Sequence, residues 1–338
     1  MAHARKGRVG FLGVPIPLLD PTIGAGLAAV AMVMYPSQPH DTVSPPSHTA
    51  LFGGYTSTNS WLAGVNQSNY GGNDRYRFDG TVMYLDLNLK FWGIGESKIP
   101  PDNPIDYNFR GFYLTAKQLF RLRDTPWLFG GRYHLFATAN NFKLPPAIDS
   151  LVGVPSIKFD VRTAGISGVT NHDSRDHTFT PKQGNFSEAI LSYYGKAFGG
   201  QAEYLKFEGF FRQFLSLSKR WVLCSQFIFN WAGDNTVYFD VPYVRLRGFA
   251  EGRHQDFATT SIEAEGRWTF AGRWGAVFFG GLGWAAGSPS AWGLDRTIPA
   301  GGVGIRFLAD KEQKVNVGLD IAVSEDNVAF YFQLGEWF

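Results

Sequence analysis

The chain of 338 residues contains a single cysteine, Cys224, so no intrachain disulfide can form and the residue is most simply a small packing side chain. A large excess of either charge is absent too. With a formal net charge of +2 and its lysines and arginines scattered, the sequence lacks the concentrated basic face that a phosphate backbone requires, which excludes nucleic acid as a partner. Long hydrophobic runs are also absent. The longest uncharged run near the start, 21–40, is apolar only from Ile23 to Tyr35; as a helix it would span roughly 20 Å against a hydrocarbon core of ~30 Å. Arg5, Lys6 and Arg8 precede an apolar stretch, but Pro15, Pro17, Asp20 and Pro21 interrupt what a signal peptide keeps continuous, so the chain reads as mature or trimmed. Helical periodicity is sustained nowhere. No repeat, linker or low-complexity segment marks a second domain, and a barrel can exceed ~200 residues as one unit.

What the sequence has in abundance is glycine (40), phenylalanine (30), tyrosine (14) and tryptophan (10), arranged with period two. The clearest segment places Val315, Val317, Leu319, Ile321 and Val323 on one face and Lys314, Asn316, Gly318, Asp320 and Ala322 on the other. Ile262, Ala264, Trp268 and Phe270 oppose Ser261, Glu263, Glu265 and Arg267 in the same way, and Val328, Phe330, Phe332, Leu334 and Phe338 oppose Tyr331 and Gln333. The pattern predicts strands near 9–16, 22–35, 48–57, 60–69, 76–91, 107–121, 126–139, 159–172, 186–195, 201–216, 220–232, 257–270, 273–286, 298–309, 314–324 and 327–338. Sixteen is an even number, and strands of about 9 to 11 residues cross a bilayer when tilted. A soluble sandwich seldom needs so many long strands. The expected fold is therefore all-β, a transmembrane antiparallel β-barrel of 16 strands, with residues 1–8 as an N-terminal tail and 9–338 as a single barrel domain. Trp61, Trp92, Trp127, Trp221, Trp231, Trp274, Trp284 and Trp337 lie near expected strand ends, as an interfacial belt requires. Connections alternate in length. The short ones include 70–75, 122–125, 217–219, 271–272 and 310–313, and the long ones 92–106, 140–158, 233–256 and 287–297; the expected inner connection at 36–47 breaks the rule.

One stretch escapes the alternation. Residues 241–256 hold Arg245, Arg247 and Arg253 beside Gly248 and Gly252, a cationic loop free to turn where a side chain would block it. Val244-Arg245-Leu246-Arg247-Gly248-Phe249 followed by five strands resembles the Arg-Gly-Phe/Tyr loop tip of the Omp85 outer-membrane proteins, in the branch of the BamA and TamA barrels. Phe91-Trp92-Gly93-Ile94-Gly95 is similar to a family Phe-Tyr-Gly-Ile-Gly. Asp173-Ser174-Arg175-Asp176 through Pro181-Lys182-Gln183-Gly184 is similar to a family inner turn in which Asp173, Arg175 and Asp176 tie the hairpin. The ending, with Phe330, Phe332, Leu334 and Phe338, resembles the last-strand signal read by the barrel-assembly machinery. The resemblance implies that the loop between strands 11 and 12 folds into the lumen and that Arg247 meets Glu265 or Asp320 on the inner wall, since a carboxylate accepts a guanidinium through two parallel bonds.

No other constellation carries chemistry. His172, Asp173, Asp176 and His177 match no defensible metal spacing, so no metal and no cofactor is expected. Lys206, Glu208 and Arg212 share one strand face and read as a solvated wall. No nucleophile elbow or Ser–His pair is present, and the chain is not expected to be an enzyme. The resemblance implies a multi-pass barrel of the cell outer membrane that assembles, inserts or translocates outer-membrane or secreted proteins. Its first and last strands would meet at a weak seam, with Gly10, Gly13 and Gly335 loosening the pairing. The family's periplasmic POTRA repeats are missing ahead of the barrel in the given sequence: either they were cut away, or separate periplasmic partners supply their role, or the barrel has a different task. The expected partners are the lipid bilayer, client proteins and periplasmic or lipoprotein accessory subunits. The alternative is a passive pore or a scaffold for envelope lipoproteins.

Overall fold

The computed structural model describes residues 9–20, 22–36, 40–41, 43–95, 104–144, 156–177, 180–293, 296–310, 315–325 and 327–338; the expected tail at 1–8 lies outside them. Sixteen strands follow one another in a single antiparallel sheet. They are β1 (Gly10–Asp20), β2 (Gly24–Met34), β3 (His48–Thr56), β4 (Trp61–Gly71), β5 (Tyr76–Phe91), β6 (Ile105–Arg121), β7 (Trp127–Lys143) and β8 (Ser156–Asp173). After them come β9 (Gly184–Tyr194), β10 (Tyr204–Ser216), β11 (Trp221–Ala232), β12 (Ala258–Ala271), β13 (Trp274–Ala286), β14 (Ile298–Asp310), β15 (Val315–Ser324) and β16 (Val328–Leu334). Each strand pairs with its sequence neighbours, and the sheet curls until β1 and β16 lie side by side, a nearly closed barrel. No backbone ladder joins that last pair among the described residues.

Period two decides which way each side chain points. Along β15, Leu319, Ile321 and Val323 are exposed on the outside while Asp320 and Ala322 are buried inside. Along β12, Ile262 faces out and Glu263 and Glu265 face in. The apolar outer face has no protein to cover it, and the ladders between successive strands satisfy the backbone groups that hydrocarbon cannot. Aromatic rings mark one rim: Trp127 beside Phe129, Trp221 stacked on Trp268 at 5.7 Å, and Trp274 beside Phe307. Trp337 is a correction to the expected belt, for it lies beyond the end of β16, 5.5 Å from the Tyr331 ring.

The wall is uneven in height. β5 to β8 run 16, 17, 17 and 18 residues, whereas β16 has only 7, fewer than the ~9 to 11 that cross a bilayer as a tilted strand. The last strand was expected to reach 338. It stops at Leu334 because Gly335 takes a positive φ of 91° and turns the remaining residues inward. The two rims are also less unequal than the sequence suggests. On the long-loop rim the connections after β1, β3 and β15 are as short as turns, so the long loops cluster over the middle of the chain. On the short-turn rim the connection between β2 and β3 stays long. Asp41 there accepts bonds from Ser44 Oγ (2.6 Å) and the Asn73 backbone (2.9 Å), and Arg77 and Arg121 both pair with Asp74 in the β4–β5 turn.

In full barrels held in vesicles of brominated lipid, Trp221→Phe and Trp274→Phe should each lower the quenchable tryptophan fluorescence, while Trp337→Phe should not. Quenching unaffected by Trp221→Phe would contradict a lipid-facing ring at that rim.

Candidate functional site: a loop spanning the lumen

The site is built by residues 233–257, between β11 and β12, which leave the rim and enter the barrel. The segment folds on itself as a narrow hairpin: Tyr243 bridges Gln255, the Val244 N–H donates to His254 O (2.9 Å), and the Asp256 N–H donates to Pro242 O (3.1 Å). Its outgoing arm then follows the inner face of β12 at a constant offset. Thr259 Oγ1 donates to Tyr243 O (3.4 Å), Ser261 Oγ donates to Arg245 O (3.0 Å), and the Arg247 guanidinium reaches Glu263. Each partner is sixteen residues further on, so the two-residue period of the strand is copied onto the loop.

At the tip Arg247 is almost wholly enclosed. Its Nε and Nη2 bond Glu263 Oε1 at 3.0 and 2.5 Å, while Nη1 lies 2.7 Å from Glu265 Oε2 and 3.1 Å from Asp320 Oδ2. The guanidinium stacks on Phe279, 3.4 Å from the ring centroid. The network extends further: Arg306 pairs with Asp320 and with Glu336 (2.9 Å), and Arg267 pairs with Glu265 (2.7 Å). Three guanidiniums therefore face four carboxylates in a space closed to bulk water. In that setting the planar guanidinium is the fitting cation, because it satisfies several acceptors at once.

Glycine makes the room. A Cβ on Gly283 would lie 2.2 Å from Val244 Cγ1, and one on Gly304 would lie 1.9 Å from Asp320 Oδ1. The small residues of β13 and β14 thus hollow the wall where the loop and its ion cluster dock. Gly248 turns the tip with a φ of 111°, its N–H donating to Tyr331 Oη (2.9 Å) on β16 while its carbonyl accepts from Ser324 Oγ (3.0 Å) at the end of β15. Val244, Leu246 and Phe249 bury against Ala285, Ile298 and Ala300.

A second anchor sits across the lumen. Tyr238 and Phe239 pack among Tyr107, Phe109, Phe136 and Phe142 of β6 and β7, and Tyr238 Oη donates to Asn140 Oδ1 (2.7 Å). Between the two anchors Asp240 takes Lys206 Nζ at 2.5 Å and the Tyr204 hydroxyl at 2.7 Å. The loop is a strut from the β6–β7 wall to the β12–β16 wall. It also touches the rim elsewhere: Gly95 N–H donates to Gln255 O (2.8 Å), and the Glu251 N–H donates to Thr22 Oγ1 (2.7 Å) between β1 and β2.

The sequence-predicted residues divide by position. Arg247, Gly248, Phe249, Glu265 and Asp320 meet in one cluster. Arg245 does not join it; its guanidinium lies over Tyr243, 5.3 Å from the ring centroid, and borders a cavity of about 260 Å³ shared with Lys206, Glu208 and Arg132. Lys206 and Glu208 depart from the solvated wall expected of them. Lys206 is buried on Asp240, and Arg132 reaches Glu208 at 3.3 Å, because the loop closes over them. Arg212 donates to Gln226 Oε1 (2.6 Å). Asp173 and Arg175 are paired at 2.9 Å, with Arg175 over the Phe186 ring, and Asp176 Oδ1 accepts the Lys182 N–H (2.8 Å), so the β8–β9 turn is cross-tied. His172 packs on Trp127 instead of facing the two aspartates. Phe330 and Leu334 face outward from β16, with Phe332 half-buried. Phe338 does not continue that stripe. It is buried inside the barrel with Phe214, Val222 and Cys224, since the turn at Gly335 reverses its direction. Sequence reasoning missed Glu263, Arg267, Arg306 and Glu336 as members of the cluster. For Glu263 the signal was present, since it shares the inward face with Glu265.

A sixteen-stranded antiparallel barrel with an apolar outer face, ringed by tryptophan and braced by a buried loop, defines a transmembrane β-barrel of the outer-membrane class. Residues 131–264 match the family model described as the Omp85 superfamily domain. No curated protein matches it by sequence. Among solved structures it is similar to BamA from Haemophilus ducreyi lacking POTRA domains 1–3, at 12% identity and a TM-score of 0.62, covering 96% of this chain and 69% of that one. It is also similar to CdiB from Acinetobacter baumannii, at 11% identity and a TM-score of 0.60, covering 96% of this chain and 59% of that one.

Removing Arg247 leaves Glu263 without its guanidinium and takes one of two cations from Glu265 and Asp320, in a closed space. Arg247→Ala should therefore lower the unfolding free energy of the full barrel by about 3–5 kcal/mol, read from urea midpoints in lipid vesicles. Arg247→Lys should recover less than half of that, because an ammonium cannot bridge Glu263, Glu265 and Asp320 together. Full recovery by lysine would show that charge alone matters.

Proposed function

We propose that this Omp85-like barrel acts in the assembly, insertion or translocation of outer-membrane or secreted proteins, together with separate accessory subunits. The observation that carries the reading is the seam. β1 and β16 lie together without a ladder, β16 is too short to cross the bilayer as a paired strand, and the loop touches both sides, Tyr331 of β16 and Thr22 beside β1. Unpaired backbone at membrane depth is costly, so such a seam persists only where it is used. The loop acts as the latch. While Arg247 holds the tip, Gly248 keeps β15 and β16 in place against the lumen.

The lipid-facing surface and the match of residues 131–264 to the Omp85 domain model support an outer-membrane location. The reading assigns the barrel no catalytic step, so its turnover is conformational. Clients are proteins that enter or cross the outer membrane, and the accessory subunits are periplasmic proteins or lipoproteins that deliver them. The filled lumen disfavours a passive pore.

Extraction of the barrel from its native outer membrane in mild detergent should recover stoichiometric periplasmic or lipoprotein partners by mass spectrometry. A barrel that purifies alone would overturn the assembly reading in favour of a scaffold or pore. In planar bilayers the wild type should conduct weakly and Arg247→Ala should raise the mean current severalfold; large steady wild-type currents would contradict a latched lumen.

A further inference from the structure

Beside the loop, where β9 to β11 form the wall, the carboxylates already have cations. Glu188 meets Lys117 Nζ at 3.1 Å, Glu208 meets Arg132 at 3.3 Å and Lys206 at 3.5 Å, and Asp240 holds Lys206 at 2.5 Å. Two guanidiniums there are left over. Arg212 on β10 donates from Nε to the neutral Gln226 Oε1 (2.6 Å) and lies 4.6 Å from the Phe210 ring centroid, while Arg245 on the loop meets the Tyr243 side chain. Among the described residues neither forms an ion pair. Both line one cavity of about 160 Å³ between the wall and the loop, together with Glu188, Glu208 and Asn230. Arg245 is exposed to this space although Val244 and Leu246 on either side of it are buried. It also lines the adjoining cavity of about 260 Å³, where Arg132 Nε and His134 Nε2 are buried without a partner.

We infer that this cavity binds a small soluble oxyanion of the phosphate class, held between Arg245 of the loop and Arg212 of the wall. Two like charges facing one confined space repel each other, and the repulsion is stronger there than in bulk water. A tetrahedral dianion removes it. Its oxygens accept from both guanidiniums, whose planar forks match phosphate in pairs of parallel bonds. The cavity is several water volumes in size, room for one such ion. Glu188 and Glu208 also line it, but each is neutralised by its own lysine or arginine, so the two free guanidiniums set the sign of the site. The ion comes from the aqueous lumen and not from the bilayer: Arg212 lines the inner cavity, whereas Phe211 and Leu215 on the same strand are exposed on the lipid side. Once bound, the ion ties the loop to β10 between its two anchors, so its concentration adjusts how firmly the loop is held. The inference goes beyond the assembly reading and does not rest on it.

The test is isothermal titration of inorganic phosphate, as the dianion in chloride buffer, into the full barrel in lipid nanodiscs. The wild type should show one saturable site. Arg212→Gln and Arg245→Gln should each weaken binding at least tenfold, while Arg220→Gln, in the exposed turn before β11, should leave it unchanged. Phosphate should also raise the urea midpoint of the wild type and not that of Arg245→Gln. Heat that does not saturate, an equal loss in Arg220→Gln, or binding untouched by Arg245→Gln would overturn the inference. If Arg212→Gln does not fold, Arg245→Gln decides the matter alone, since Arg245 touches only the Tyr243 side chain. Lipid phosphorus that co-purifies with the wild type and is lost in Arg245→Gln would assign the site to a lipid head group and overturn the soluble source.

Discussion

The buried guanidinium of Arg247 is the constraint on which the interior depends. Glu263, Glu265 and Asp320 sit on strands whose other face meets lipid, so none can turn outward, and no water reservoir replaces the cation if it leaves. Desolvating charges is costly, and the cost is met only when pairing is complete. This is why the loop must enter the barrel: the carboxylates of β12 and β15 need a cation, and the loop brings one on a glycine-turned tip. The hollow cut by Gly281, Gly283 and Gly304 is the geometric counterpart of the same requirement.

From that contact the remaining features follow in order. A tip fixed on β12–β16 and a root fixed among the aromatics of β6 and β7 make the loop a brace across the lumen. The brace buries Lys206 against Asp240 and borders cavities of about 260 and 160 Å³. It also steadies the weakest part of the wall, where β16 is short and unzipped from β1. Strength on one side of the barrel and weakness at the seam are thus coupled through one loop, in keeping with a gate that stays shut until a partner loosens it.

Much of this was legible in the sequence, for a definite reason. Period two is a strict rule in a barrel bounded by lipid, so the strand positions, their number and the inward direction of Glu265 and Asp320 could be read directly. β5 was expected at 76–91 and runs from Tyr76 to Phe91. What could not be read was whatever depends on which residues meet across the lumen. The pairing of Arg306 with Glu336, the burial of Lys206 on Asp240 and the inward turn of Phe338 all join segments distant in sequence, and no local pattern encodes them. Phe338 shows the limit plainly: it continues the alternation of β16 in sequence, but the positive φ at Gly335 ends the strand first.

The central claim is that the loop is held by a coupled ion cluster and not by independent contacts. A double-mutant cycle on Arg247→Ala and Asp320→Ala, measured by urea unfolding of the full barrel in lipid vesicles, tests it most directly. The account predicts strong non-additivity, with the double variant more stable than the sum of the single losses by about 2 kcal/mol or more, since either single change already removes the Arg247–Asp320 contact and disturbs the network the two share. Losses that add to within ~0.5 kcal/mol would contradict it.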